Sequence, residues 1–537
     1  MARAFAPTRA QCALAALTSL LLVLSFPDFN LWWLAWVGLV PLTLAVCGSP
    51  PTRPAPAFVT GWLAGTLYFY GSCWWLTHSM IHYGGIPAYV AFPLLVPGAL
   101  IVALFPALWA LTLARLCARW GAPRALLVAP LAWVAYEWAR LYATGQLWNA
   151  VGYTQAYRPT LIQPASWGGV YAVGFLILTI NCAISYALLR RDRRATLTAA
   201  AAALLVALAV ALSARDMTPT AEGEASAVVV AVQPNVTPSF DRTQAETDAL
   251  VARHVSMTMA ALNEWDTKLA QSAAHDREFG GERPVRARQA TPRVVVFPES
   301  PMNFSYGRDA DFRELVSRFA REERAAVLFN SLESAPAGGV YNSAVLIDEE
   351  GRLVAQYDKI RLLPFGEYVP LPRWLGGGLV SAIVGEFTPG ARYTLLPFGG
   401  ARAGVFICFE SAFPALSREF TRAGADVLIN ISNDGYLGQT PVLRQHLANA
   451  VFRAVENRRD VLRVTNTGIS AHITPRGEVL DATASFEPAT RTWPISRAHG
   501  GQTFYTRHGD LFVALCAVVT AAAALAASLK KKRLTTG

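Results

Sequence analysis

Three side chains in the second half of the chain are of the types needed to move an acyl group. Glu299 closes the run Arg293-Val-Val-Val-Phe-Pro-Glu299, Lys359 lies in Gln356-Tyr-Asp-Lys-Ile-Arg361, and Cys408 closes Ala403-Gly-Val-Phe-Ile-Cys408 with Glu410 two residues on. A carboxylate can take a thiol proton, the thiolate can attack a carbonyl, and an ammonium can stabilise both thiolate and oxyanion. Each residue also has an ordinary explanation. Glu299 could cap a helix, Lys359 could be a solvated surface charge, and free cysteine often just fills core space. Seven cysteines are present, at 12, 47, 73, 117, 182, 408 and 516, and six of them sit in or beside strongly apolar runs near the two ends. Cys408 alone lies in the long polar stretch.

The elements that would position these residues are legible as periodicity. Strand-like runs occur at Ala227–Val232, Arg293–Phe297, Ala325–Phe329, Ser343–Ile347, Ala403–Ile407, Asp426–Ile431, Val461–Thr465 and His472–Ile473. Helix-like stretches at Gln244–Lys268, Ala310–Glu323 and Val442–Arg459 alternate with them, which argues for an α/β domain. All three candidates then stand at the ends of strand-like runs, where they could converge on one face. Ser272–Pro292, charged and without period, reads as a surface insertion. Leu362–Tyr393 reads as a long loop, a length often used for lids or binding elements.

The rest of the chain has another character. Of 537 residues, 53% are hydrophobic and 16% charged, and the mean hydropathy is positive. The first 215 residues hold three acids, Asp28, Glu137 and Asp192, whereas 216–505 is charged and strand-rich. A membrane span needs about 20 mainly apolar residues. Eight candidates fit, at roughly 11–26, 31–47, 57–78, 86–114, 125–139, 168–189, 196–213 and 510–528. The predicted organisation is therefore a seven-helix membrane domain over 1–215, a polar domain over 216–505, and an eighth helix with a basic tail over 506–537.

Basic residues set the orientation. With Arg3 and Arg9 in the cytoplasm, alternate loops carry Arg53, then Arg115, Arg119 and Arg124, then Arg190–Arg194 to the same side, as does the Lys530–Arg533 tail. Every strong cluster falls inside, as the positive-inside rule requires. The polar domain then lies outside, both termini lie in the cytoplasm, and Cys408 is a single thiol in an oxidising space. The net charge of +10 comes largely from these clusters, which argues against nucleic-acid binding. The eight histidines are scattered, none at ligand spacing with a cysteine, and no phosphate-binding glycine loop is visible, so neither metal nor cofactor is expected.

Longer strings narrow the reading. Phe297-Pro-Glu-Ser, Tyr357-Asp-Lys-Ile-Arg-Leu-Leu-Pro-Phe-Gly-Glu-Tyr-Val-Pro370 and Ile407-Cys-Phe-Glu410 come in the order of the nitrilase superfamily's Glu, Lys and Cys motifs. The Lys-containing string resembles the superfamily's membrane-bound branch, bacterial apolipoprotein N-acyltransferase. Val232-Gln-Pro-Asn235, Tyr341-Asn-Ser343, Ile431-Ser-Asn-Asp-Gly435, Arg453-Ala-Val-Glu-Asn-Arg458, Thr465-Asn-Thr-Gly468 and Tyr505-Thr-Arg-His-Gly-Asp510 extend the match. Tyr136-Glu-Trp-Ala-Arg140 and Gly145-Gln-Leu-Trp148 extend it into the membrane part.

The resemblance implies an αββα nitrilase-like domain on the outer face of the bacterial inner membrane, carried by eight transmembrane helices. Glu299 would be general base and then acid, Lys359 would stabilise the tetrahedral intermediate, and Cys408 would carry an acyl thioester. The implied donor is a membrane phospholipid, typically phosphatidylethanolamine. The acceptor is the α-amine of a diacylglyceryl-cysteine on an apolipoprotein. Glu367, Phe409, Glu410 and Asn342 would support the site or the substrate. Phe409 departs from the tyrosine often found there, and Tyr436-Leu437 replaces an aromatic pair. Leu371, Trp374, Leu375, Leu379 and Val380 are candidate lid residues, with Trp148 and Tyr436 as further lipid contacts; ordinary packing or interfacial anchoring would explain them equally. The competing enzyme reading is a membrane-tethered amidase or nitrilase-type carbon–nitrogen hydrolase, in which water resolves the thioester. A non-enzymatic lipoprotein-binding protein with an inert triad is the reading from another class.

Overall fold

A computed structural model describes residues 6–48, 50–215, 225–239, 242–278, 291–300, 302–336, 338–369, 387–498 and 500–529. The candidate lid residues 371–380, the Gly280-Gly281 insertion and the basic tail lie outside the described residues. Two compact units emerge: Met1–Thr218 with Thr440–Glu456 and Thr503–Gly537, and Pro219–Gln439 with Asn457–Gln502.

The first unit is helical. Four helices are long and apolar enough to cross a membrane: Ala88–Trp120, Ala165–Arg190, Arg193–Ala214 and Leu511–Ser528. Arg9–Ser25 and Trp32–Cys47 are shorter apolar helices, and Pro54–Cys73 and Ala122–Thr144 complete the set of longer ones. Small residues let them approach closely. A Cβ on Gly61 would stand 2.6 Å from that of Ala110, the close contact that serves helix packing where no hydrophobic drive separates helix from lipid. The helix Ala165–Arg190 is broken near its start, where Gly169 takes φ 67°.

The second unit is a sandwich of two six-stranded sheets. The strands are β1 (Ala227–Gln233), β2 (Arg293–Val296), β3 (Ala326–Ser334), β4 (Val340–Ile347), β5 (Leu353–Asp358) and β6 (Leu395–Phe398), then β7 (Ala401–Ile407), β8 (Val427–Ser432), β9 (Asp460–Thr465), β10 (Ala471–Ile473), β11 (Val479–Leu480) and β12 (Ala489–Ile495). One sheet runs β12-β1-β2-β3-β4-β5 and the other β11-β10-β9-β8-β7-β6. In each, the central strands pair in parallel: β1–β2–β3 in one and β7–β8–β9 in the other. The Val-rich runs are buried along their length because parallel strands are covered on both faces.

Helices Gln244–Glu278 and Ala310–Glu323 supply the outer cover of the first sheet, through a core that includes Val230, Val295, Phe329, Leu262 and Ala320. Pro414–Arg422 covers the second sheet so closely that a Cβ on Gly404 would meet Phe420 at 2.6 Å. The eight expected strands are present, with ends shifted by up to five residues. Four more, β5, β6, β11 and β12, were not foreseen. They lie toward the sheet margins, where burial is incomplete and no long apolar run marks them; Pro494 is tolerated in β12 because that strand is an edge. The first helix also runs to Glu278, so the opening of the expected Ser272–Pro292 insertion is helical instead.

Candidate active site

The two sheets bring their functional residues from opposite sides. From the first, Glu299 follows β2 on a turn pinned by Ser300 N donating to Asn330 Oδ1 at 3.0 Å. Lys359 directly follows β5. Its N–H donates to the Asn342 carbonyl at 2.8 Å, and its carbonyl accepts from Gly390 N at 2.8 Å. Gly390 has to be glycine here, since a Cβ would lie 2.1 Å from the Asp358 carbonyl oxygen. From the second sheet, Cys408 follows β7 with φ 52°, a left-handed conformation costly for a side-chain-bearing residue. The strained turn ends the strand and starts the 3-10 turn Cys408–Ala412.

The ammonium of Lys359, 1% exposed, lies between two carboxylates: Glu367 Oε1 at 2.7 Å and Glu299 Oε1 at 3.4 Å. Asn342 Nδ2 donates to the same two oxygens, at 2.8 Å to Glu367 and 2.9 Å to Glu299. Its own carbonyl oxygen is fixed by Asn330 Nδ2 at 2.7 Å. The remaining oxygens are also used, Glu367 Oε2 accepting from Leu363 N at 2.7 Å and Glu299 Oε2 from Asn433 N at 3.1 Å. Burial works to strip the Lys359 charge, but Glu299 and Glu367 beside it outweigh burial and hold its pKa above the ordinary lysine value.

Cys408 is half-buried and free of any disulfide. Burial pushes its thiol well above the ordinary value, the Glu299 charge adds to this, and Lys359 opposes it. At neutral pH Cys408 is thus held as a thiol, so a base must take the proton as the sulfur attacks.

Glu410 is a weld between the sheets. Its Oε2 accepts from Ile407 N at 2.8 Å, on the cysteine side. Its Oε1 accepts from Ile360 N at 2.7 Å, Arg361 N at 2.9 Å and Tyr357 OH at 2.8 Å, on the lysine side. Burial raises this carboxyl to about 7 against the lowering pull of those N–H groups, Lys359 and Tyr357. The Glu410 side chain therefore ties the turn of Cys408 to the turn of Lys359. Phe409 is half-buried with its ring 5.4 Å from Phe413, which in turn carries the Arg361 guanidinium at 5.4 Å.

Glu299, Lys359, Cys408, Glu367, Glu410 and Asn342 thus share one network in this unit. Tyr436 is half-buried in the turn Gly435–Leu437, and Trp374 and Leu375 lie outside the described residues. Trp148 belongs to the helical unit, where it is buried and donates its indole N–H to Gln445 Oε1 at 2.9 Å. Its neighbours Glu137 and Arg140 are buried there too. Glu137 Oε1 accepts from Val151 N at 2.9 Å and Arg140 donates to the Trp148 carbonyl at 2.8 Å, so both organise a loop. Reading the sequence alone missed Asn330, Tyr357 and the role of the Asn433 backbone. Tyr357 and Asn433 sit inside the quoted strings, whereas Asn330 is signalled only by a polar residue interrupting an apolar strand.

A cysteine on a strained strand end, served by a glutamate and a lysine from a facing sheet, defines a thiol enzyme of the carbon–nitrogen hydrolase type. Residues 229–503 match the carbon–nitrogen hydrolase family, and residues 18–183 match the apolipoprotein N-acyltransferase N-terminal domain. An apolipoprotein N-acyltransferase of Geobacter metallireducens is 33% identical over 97% of this chain and 95% of its own. That of Rhizobium meliloti is 30% identical over 86% and 85%. A solved amidase of the nitrilase superfamily from Nesterenkonia AN1, 17% identical, aligns over 53% of this chain and 94% of its own with a TM-score of 0.33. The chain belongs to the apolipoprotein N-acyltransferase family.

Proposed function

We propose that this protein transfers a fatty acyl chain from a membrane phospholipid, through a thioester on Cys408, to the α-amine of a diacylglyceryl-cysteine at the start of an apolipoprotein. The observation that carries this reading is the Lys359 ammonium held between Glu299 and Glu367, in the same network that positions Cys408, within a chain of this family.

The cycle follows from the protonation states. Glu299 takes the thiol proton as sulfur attacks the ester carbonyl of the donor, phosphatidylethanolamine being the expected one. Two of the three Lys359 N–H groups serve the carboxylates, and the third donates to the developing oxyanion. Collapse breaks the ester C–O bond, and Glu299 returns the proton to the departing lysophospholipid oxygen. The acceptor amine then attacks the thioester and Glu299 takes an N–H proton; the C–S bond breaks to release the amide, and Glu299 passes that proton to the departing sulfur to restore the thiol. Donor and acceptor are both anchored in lipid. The eight-span arrangement, with both termini in the cytoplasm, puts the α/β unit at the periplasmic face of the inner membrane, where such substrates are presented; the distribution of Arg and Lys supports it.

Mass spectrometry of the Cys408 peptide after exposure to labelled phospholipid tests this. An acyl adduct discharged by a diacylated lipopeptide is expected. Full N-acylation by Cys408→Ala, or no adduct in the wild type, sinks the mechanism.

A further inference from the structure

Beneath the nucleophile, the second sheet holds a buried polar column that the reaction above does not use. Ile407 on β7 is in register with Ile431 on β8, so Cys408 and Ser432 follow side by side. Two residues back, Asn430 on β8 pairs with Phe406 on β7 and Arg463 on β9, and side chains two apart share a face. Asn430, Ser432, Asp434 and Arg463 are all completely buried. Ser432 Oγ donates to Asp434 Oδ1 at 3.0 Å, and Arg463 donates to Asp434 Oδ2 at 2.7 Å and to Asn430 Oδ1. Asn430 Nδ2 reaches the carbonyls of Phe406 at 3.1 Å and Cys408 at 3.5 Å, tying the column to the strained turn. The loop of Gly468 closes over Asp434 so tightly that a Cβ there would lie 2.1 Å from Oδ2. Burial raises the Cys408 thiol, and the hydroxyl of Ser432, its neighbour across β7 and β8, pulls it the other way.

A serine hydroxyl has one proton, and here it has two acceptors. We propose that Ser432 is a hydroxyl switch for the nucleophile, donating to Asp434 while Cys408 is a thiol or thioester and turning to donate to the sulfur whenever it is a thiolate. This rests on the acyl-transfer reading only in taking Cys408 as the nucleophile. No proton changes owner at Ser432; the hydroxyl rotates. Arg463 keeps Asp434 satisfied when Ser432 turns away, so the carboxylate is never left without a donor. The thiolate arises twice per cycle, on attack and as the leaving group of the second half-reaction, and Ser432 serves both. The charged groups facing the sulfur are Glu299 from the turn after β2, Lys359 from the end of β5 and Asp434 from the turn after β8. Glu367 and Arg463 act through the last two. Ser432 and Asp434 are positioning residues that pull in opposite directions, the hydroxyl favouring the thiolate and the carboxylate opposing it.

The test is the rate of iodoacetamide alkylation at Cys408 in the full-length enzyme at fixed mildly alkaline pH, read from the mass of the Cys408 peptide. Below the thiol pKa this rate follows the thiolate fraction. Ser432→Ala should slow alkylation roughly tenfold and Asp434→Asn should speed it roughly tenfold, each the consequence of about one unit in thiol acidity. A purely structural role predicts that both variants loosen the turn and speed alkylation. Faster or unchanged alkylation of Ser432→Ala therefore overturns the proposal, and this small neutral change decides the matter even if Asp434→Asn does not fold. The acyl-transfer reading fails separately: opposite shifts without an acyl adduct on wild-type Cys408 would leave the switch standing and remove the transferase.

Discussion

Of the buried ion clusters among the described residues, Arg453–Glu456 in the helical unit and Lys359 with Glu299 and Glu367 in the α/β unit use the same chemistry to different ends. In the helical unit Arg453 donates to Glu456 Oε1 at 2.8 Å, with both side chains completely buried. The same oxygen accepts from Val170 N at 2.9 Å, just past the break at Gly169, so the pair caps a broken helix. In the α/β unit one ammonium serves two carboxylates, and Glu299 keeps 13% of its side chain exposed. The first cluster balances one cation with one anion and is sealed. The second carries one more carboxylate than cation, and both carboxylates keep some access to the outside, Glu367 at 10% beside Glu299. A sealed, balanced pair resists a change of proton, whereas an unbalanced pair at an opening is suited to accept one. Burial alone does not distinguish structure from catalysis; stoichiometry and access do.

The widest gap between the clusters should appear in turnover. Cys408→Ala and Cys408→Ser should lower acyl transfer by roughly three orders of magnitude or more while the protein stays folded in membranes, as loss of a nucleophile does elsewhere. Transfer to a diacylated lipopeptide, with circular dichroism for folding, checks this. Glu299→Gln comes next. The single amide oxygen can accept on one side only, from Asn433 N or from Lys359 and Asn342, and it cannot take a proton, so thioester formation should fall by about 10²–10⁴. A Gln variant that still acylates Cys408 at the wild-type rate would make Glu299 another structural pair member.

How much of this contrast was readable beforehand depends on range. Glu299 and Cys408 each end a short apolar run, so local periodicity located them, whereas Lys359, Glu367 and Glu410 stand out only through the strings that contain them. The architecture behind them was less visible. β5, which delivers Lys359, is an edge strand with two exposed residues at its start and no long apolar run. Asn330 acts across 12 residues on Asn342, and Glu410 across 53 on Tyr357. Such bonds depend on which strands are neighbours, and one sequence does not state that. The helical unit shows the same limit. Apolar runs marked the helices, while the membership of Val442–Glu456 in that unit comes from contacts made by residues such as Glu456 and Gln445.

The sealed cluster should respond in stability. Arg453→Met removes one partner of a buried pair and leaves the Glu456 charge uncompensated, at a cost of about 3–5 kcal/mol. Thermal unfolding measures this, and the protein that remains folded should alkylate at Cys408 at the wild-type rate. A slowed Cys408 in that fraction would mean that the clusters are not independent.

Glu410 provides the finest division, because it is buried like the sealed pair yet lies in the network around Cys408 and Lys359. Burial raises its pKa from 4.5 to about 7, so between those values the folded protein holds a proton that the unfolded chain has released. The sign follows from linkage: where the native state binds more protons, stability falls as pH rises, and above about 7 both states are ionised and the slope vanishes. The α/β unit should therefore lose stability between pH 4.5 and 7, by at most about 3–4 kcal/mol from this group. Glu410→Gln should flatten that segment of the stability–pH curve. It should also lower stability at every pH, because an amide nitrogen would face at least one of the donors on Ile407, Ile360, Arg361 and Tyr357. If denaturant midpoints of the wild type stay constant from pH 5 to 7, the carboxylate ionises freely despite its burial. Its four donors would then outweigh desolvation, and Glu410 would be a fixed anion like Glu456.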